Sequence, residues 1–143
     1  MAISQAVCNS FKKELLGGVH NFASGGNSFK LALYISTATL AAATTSFTTT
    51  GQASVSGQYA SGGGALASQQ TSVASGVAIV DFANRSFTGV TLTARGAMIY
   101  NDTVAGDPAV CVLDFGADKT ATSGTFTVQF PAFTTAAAIL RIS

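Results

Sequence analysis

One histidine, two cysteines and six acidic residues are the side chains with which this 143-residue chain could carry out acid–base, nucleophilic or metal chemistry. His20 stands beside Asn21, and Cys8 is the thiol nearest to it in sequence. A reactive thiol needs an electropositive, partly exposed setting, whereas Cys8 falls one residue from an apolar stripe. His20 therefore reads as a structural histidine at a helix end, and Cys8 and Cys111 as buried, reduced and inert. No Gly-x-Ser-x-Gly elbow offers another nucleophile. Asp81, Asp114 and Asp118 could gather around Ca²⁺, which takes several oxygen ligands. Their spacing is not that of an Asp-x-Asp-x-Asp loop, and Asp at a strand end ordinarily makes an Asx turn.

The remaining motifs carry less. One histidine and two distant cysteines do not make a four-ligand transition-metal site. Asp114-Phe115-Gly116 spells the kinase metal-binding tripeptide, but the catalytic-loop signature is missing and the chain is far too short for that fold. Gly62-Gly63-Gly64 is not followed by Lys and Ser or Thr, as a phosphate-binding loop requires. Glycoside hydrolysis needs two carboxylates facing each other, and Glu14 on a helix with five Asp mostly at turns supplies no such pair. The expectation is a protein that is not an enzyme and uses no cofactor and no metal.

The elements that position these residues are mostly strands. Before them, Ile3, Val7, Phe11 and Leu15 recur every fourth position, which predicts a short amphipathic helix over residues 4–16. Ser4 is its expected cap, Lys12 and Lys13 lie near its negative end, and Gly17-Gly18 supplies the positive-φ stop. A single such helix cannot bury its stripe alone, so it must lie against the rest of the domain or against a neighbouring subunit. Phe11 and Leu15 on it, with Phe22 and Phe29 just after it, are the candidate contacts with another chain.

Strand periodicity starts at Phe29, Leu31, Leu33 and Ile35 and returns at 77–82, 90–100, 126–130 and 138–142. Residues 109–115 form a nearly continuous apolar run, as in a strand covered on both faces, with Gly116 closing it. Phe82, Phe87, Phe115, Phe126 and Phe130 are expected in the core. Between 37 and 75 the chain is Ala, Thr, Ser, Gly and Gln, readable as two thin edge strands or as a long loop that orders on assembly. Six to eight strands without helical patterns between them predict an all-β protein: an antiparallel β-sandwich or jelly roll with a short N-terminal helix. One domain, 1–143, is expected, with 1–20 as helix and arm.

Composition suits a subunit whose surface is partly covered, or else an ordinary soluble domain with a neutral, Thr-rich skin. Charged residues make up 9% of the chain against a usual share of about 25%, apolar residues reach 48%, and the net charge is +1. Such a surface repels neighbours weakly. The basic residues are scattered, so no stripe tracks a phosphate backbone and nucleic acid is not an expected partner. The start lacks a basic region followed by an apolar core, and no apolar run approaches the ~20 residues of a membrane helix. A soluble protein made in a cytoplasm is expected, without a membrane partner.

The segments MAISQAVCNSFKKELL (1–16), FKLALY (29–34), TARGAMIYND (93–102), VLDFG (112–116) and GTFTVQFP (124–131) together resemble small virion proteins of tailed bacteriophages. The resemblance spans most of the chain and fails in the Gly/Ser-rich middle. It implies a particle subunit located in the virion, most similar to capsid cement or decoration proteins. Such subunits bind outside the major capsid protein shell as homo-oligomers, usually dimers or trimers. A tail, neck or fibre component with a receptor- or partner-binding surface is the alternative. No catalytic residue is implied, because the class has none.

Overall fold

The computed structural model describes residues 2–143. In chain order these form β1 (Ala6–Val7), α1 (Asn9–Leu16), β2 (Phe29–Tyr34), β3 (Gly64–Ala65), β4 (Gln70–Ala74), β5 (Val77–Asp81), β6 (Arg85–Asn101), β7 (Ala109–Val128) and β8 (Leu140–Ile142). The strands make two antiparallel sheets, one of five strands in the order β1-β7-β6-β2-β3 and one of three in the order β4-β5-β8. The protein is an all-β sandwich with one short helix.

The long β6–β7 hairpin dominates the larger sheet, and its two halves differ as their sequences do. Ala97–Asn101 on β6 and Ala109–Val112 on β7 are buried without interruption, so both faces are covered there. Farther along, Phe87, Val90, Leu92 and Ala94 point to the core while Ser86, Thr88 and Thr91 are exposed, the alternation of a sheet with one wet face. Gly116 does not close β7. The strand runs on through it at φ +81°, a conformation glycine adopts without a Cβ penalty, and the run at 126–130 begins as the far end of the same strand. Four register irregularities along the pair accommodate the extra residues.

The helix is shorter than its apolar spacing predicts. Ala6 and Val7 pair with Val112 and Cys111 instead of forming a first helical turn. Ser4 is no cap, since its N–H donates to the Leu40 carbonyl at 2.8 Å, and helix α1 follows Cys8, whose side chain makes no capping bond. An open sheet edge offers these residues backbone partners at once, whereas a helical turn must first be nucleated. At the other end Gly18 has the expected positive φ, +77°.

Segment 37–75 is ordered by side chains more than by strands. The Tyr34 hydroxyl donates to the Thr48 carbonyl at 2.6 Å, and the Tyr100 hydroxyl to the Gly62 carbonyl at 2.5 Å. The buried Tyr59 hydroxyl accepts from the Leu33 N–H at 2.7 Å and donates to the Leu33 carbonyl at 3.3 Å. Burial drives all three phenols upward, Tyr59 to about 12, so each is a neutral donor. At Gly63, φ +81°, a Cβ would overlap the Leu31 carbonyl, so only glycine lets β3 approach β2 this closely.

The smaller sheet begins with a tight hairpin. Ser75 and Gly76 between β4 and β5 have φ +52° and +77°, the two positive values of a type I′ turn, and register runs unbroken from Gln70↔Asp81 to Ala74↔Val77. Strand β8 pairs on the other side of β5. Phe82, 5.8 Å from the Phe29 ring, and Leu140 join this sheet to the common core. Of the aromatic residues expected inside, Phe82, Phe87 and Phe126 are buried, while Phe115 and Phe130 pack against the core from its margin.

Candidate interaction surface

His20, the two cysteines, Asp81 and Asp114 are engaged in holding the chain together. The side chain of His20 is wholly buried, and its Nε2 lies 3.0 Å from Glu14 Oε1. Its Nδ1 lies 3.1 Å from Asn101 Nδ2. The amide of Asn101 is oriented by its other bonds, with Oδ1 accepting from the N–H groups of Thr103 and Val104 and Nδ2 donating to Asn27 Oδ1. Asn101 Nδ2 is therefore a donor, His20 Nδ1 an acceptor, and His20 Nε2–H donates to the Glu14 carboxylate. This network clamps the end of α1 and the 20–27 loop onto β6.

Neither cysteine is poised to react. Both are free and buried. Burial, with the charge of Glu14, pushes the Cys8 thiol up to about 11, and burial, with Cys8 nearby, pushes Cys111 up to about 12. The acids do not converge: no group of three His, Cys, Asp or Glu able to hold a metal exists among the described residues. Asp81 is buried at the end of β5, where its Oδ1 accepts the Phe82 N–H at 2.9 Å. Asp114 sits on β7, bonded to the Gly116 N–H and to Arg95 Nε. Asp118 is exposed farther along β7.

Three of the four candidate partner contacts are turned inward. Phe11, Phe22 and Phe29 are buried within their own chain. The Phe22 and Phe29 rings stack at 4.3 Å, and Phe11 lies 5.9 Å from Phe22 and 4.9 Å from His20. The helix stripe meets β7 and the loop that follows the helix, so in this fold these rings are not available to another chain. Leu15 is half-buried against the same core, and its neighbour Leu16 is the exposed one, at 91%.

The exposed surface has three other features. A cleft of about 670 Å³ lies between the sheets, lined by Val7, Leu113, Phe115, Phe130, Ile139 and Arg141 among others. The wet face of the hairpin carries hydroxyl pairs, Ser86 with Thr127 at 2.9 Å and Thr93 with Thr120 at 2.8 Å. The third is β4, exposed at all five residues. Its Val73 (70% exposed) pairs with exposed Ala78, which pairs with Ile142 (56% exposed), so register aligns an apolar row across the small sheet. β3 and β4 are the two short strands that the sequence allows within 37–75, and Ser75-Gly76 before an apolar run is the hairpin signal that bounds the second.

No helix among the described residues is long and apolar enough to cross a membrane. Fold and surface together define a small β-sandwich in which His20, both cysteines and Asp81 are buried. No protein-family model, curated protein or solved structure matches the chain.

Proposed function

We propose that the chain is a structural subunit of a tailed-bacteriophage particle, binding the outside of the capsid as a cement or decoration protein that reinforces contacts between major capsid proteins. The observation that carries this reading is the division of the side chains. His20, Cys8, Cys111 and Asp81 are buried in the chain's own packing, while the exterior presents hydroxyls, a bare strand edge and an apolar row. Such a surface suits repeated, moderate contacts better than recognition of a small molecule. Interfaces of roughly 800 Å² per partner, repeated around a shell, add up without any single strong site. The resemblance to small virion proteins supplies the setting.

Quantitative mass spectrometry of purified particles tests the reading. A copy number comparable to that of the major capsid protein is expected. A handful of copies per particle overturns the cement role in favour of a tail, neck or fibre position, and absence from the particle overturns both.

A further inference from the structure

We propose that the outer edge of β4 docks a second copy of this chain, the two β4 strands pairing antiparallel about a two-fold axis at Ser72. In a hairpin closed by a two-residue turn, the residues flanking the turn form a hydrogen-bonded pair and the bonded pairs then alternate. With Ala74 opposite Val77, the bonded pairs are Ala74–Val77, Ser72–Ile79 and Gln70–Asp81. Thr71 and Val73 therefore direct their N–H and C=O groups away from β5, and among the described residues no other segment bonds to them.

That edge is complementary to itself. A two-fold axis at Ser72 sets Thr71 opposite Val73 of the second copy, and Val73 opposite its Thr71, which closes four backbone hydrogen bonds and joins two three-stranded sheets into one of six. Directly opposed residues share a face. Val73 of the second copy then extends the row Thr71–Val80–Leu140, whose Val80 and Leu140 belong to the core side of the sheet. Each exposed valine thus lands in line with the other copy's core-facing row. No like charges meet, because β4 is Gln-Thr-Ser-Val-Ala and Gln70 would face Ala74. A five-residue edge falls short of the roughly 800 Å² per partner of a standard stable interface. The dimer is accordingly concentration-dependent in solution and reinforced where copies are held side by side. This interface deepens the assembly reading and rests on it in treating the bare edge as a surface used for association.

Sedimentation equilibrium and amide hydrogen exchange of the full chain test the interface. The expected result is a monomer–dimer equilibrium in which the Thr71 and Val73 amides gain protection as the dimer fills. Val73→Pro removes an outward N–H without touching the β4–β5 ladder. It should weaken dimerisation about 10-fold or more, losing two of four bonds, with an unchanged circular dichroism spectrum. Thr71→Lys, a charge on the edge, should do the same and serves if the proline variant misfolds. A chain that stays monomeric at about 1 mM overturns the proposal. So does a dimer whose Thr71 amide exchanges as in the monomer, and the wild-type exchange decides even if both variants misfold. A monomeric chain at high copy number in particles would remove this interface and leave the cement reading standing.

Discussion

The edges of the two sheets are managed differently. In the larger sheet the terminal strands β1 and β3 are two residues long, and the outer side of β6 is met by the 56–58 segment: the Gln58 N–H donates to the Thr88 carbonyl at 3.1 Å, and the Thr91 N–H to Ser56 Oγ at 2.8 Å. β1 reaches only Cys111 and Val112, so β7 has no neighbouring strand on that side from Phe115 onward. That stretch carries Asp118 and Lys119 and is kinked at Gly116 (φ +81°) and Ser123 (φ +46°). Short edges, covers, charges and kinks are the means by which sheets avoid pairing with strangers. β4 has none of them: it is regular, uncharged, free of proline and exposed throughout. One sheet is guarded and the other is left bare, and it is on this contrast that the proposed pairing of β4 rests.

The largest test removes a cover. Gly63→Val would force a side chain into the Leu31 carbonyl at positive φ and detach β3, leaving the apolar edge of β2 open. A destabilisation of about 3 kcal/mol or more is expected, read as a lowered melting temperature with aggregation on heating. A variant that melts like the wild type and stays soluble would show that β3 does not protect the larger sheet. A smaller effect is expected from Asp118→Thr with Lys119→Thr, which strips the charges from β7 and leaves its kinks. Stability should change by no more than about 0.5 kcal/mol, while a second self-association, insensitive to Val73→Pro, appears by light scattering. If none appears, the kinks at Gly116 and Ser123 suffice as guards.

How much of this was legible depended on whether a residue's partner is local. Alternation at Phe29–Tyr34, at Val77–Asp81 and along β6 marks strands because side-chain period is a property of the segment itself, and it places Phe82, Phe87 and Phe126 inside. The helical spacing extends past the true helix because the partner of Ala6 and Val7 is β7, over a hundred residues away, and a two-residue pairing has no periodicity of its own. Phe11, Phe22 and Phe29 read as outward contacts because a lone amphipathic helix needs a cover, and nothing local in the sequence says that the loop after it supplies one. His20 was readable as structural, yet Asn101, the residue that fixes its tautomer, could be found only through the fold. Segment 37–75 hid most, since three tyrosine hydroxyls order it through carbonyls that any residue could provide.

The smallest expected effects come from two aspartates, one in each sheet, and they have opposite signs. Asp81, paired with Gln70 of the bare strand, is buried, and desolvation raises its pKa above the ordinary carboxylate value, partly offset by the Phe82 N–H. Asp114 in the guarded sheet is lowered, first by the Gly116 N–H and then by Arg95. A raised carboxyl binds its proton more readily in the folded state, so its penalty sets in as pH rises from the ordinary value through the raised one and persists above it. A lowered carboxyl stabilises above the ordinary value and loses that contribution as pH falls through the folded value. Asp81→Asn keeps an oxygen for the Phe82 N–H and carries no charge to desolvate, so it should raise the urea midpoint at neutral pH. Asp114→Asn should lower it. Both differences should shrink as pH falls through the carboxylate range. If Asp81→Asn instead lowers the neutral midpoint, the carboxylate is stabilised by its surroundings, and the small sheet holds a charge beside its open edge that would weigh against pairing there.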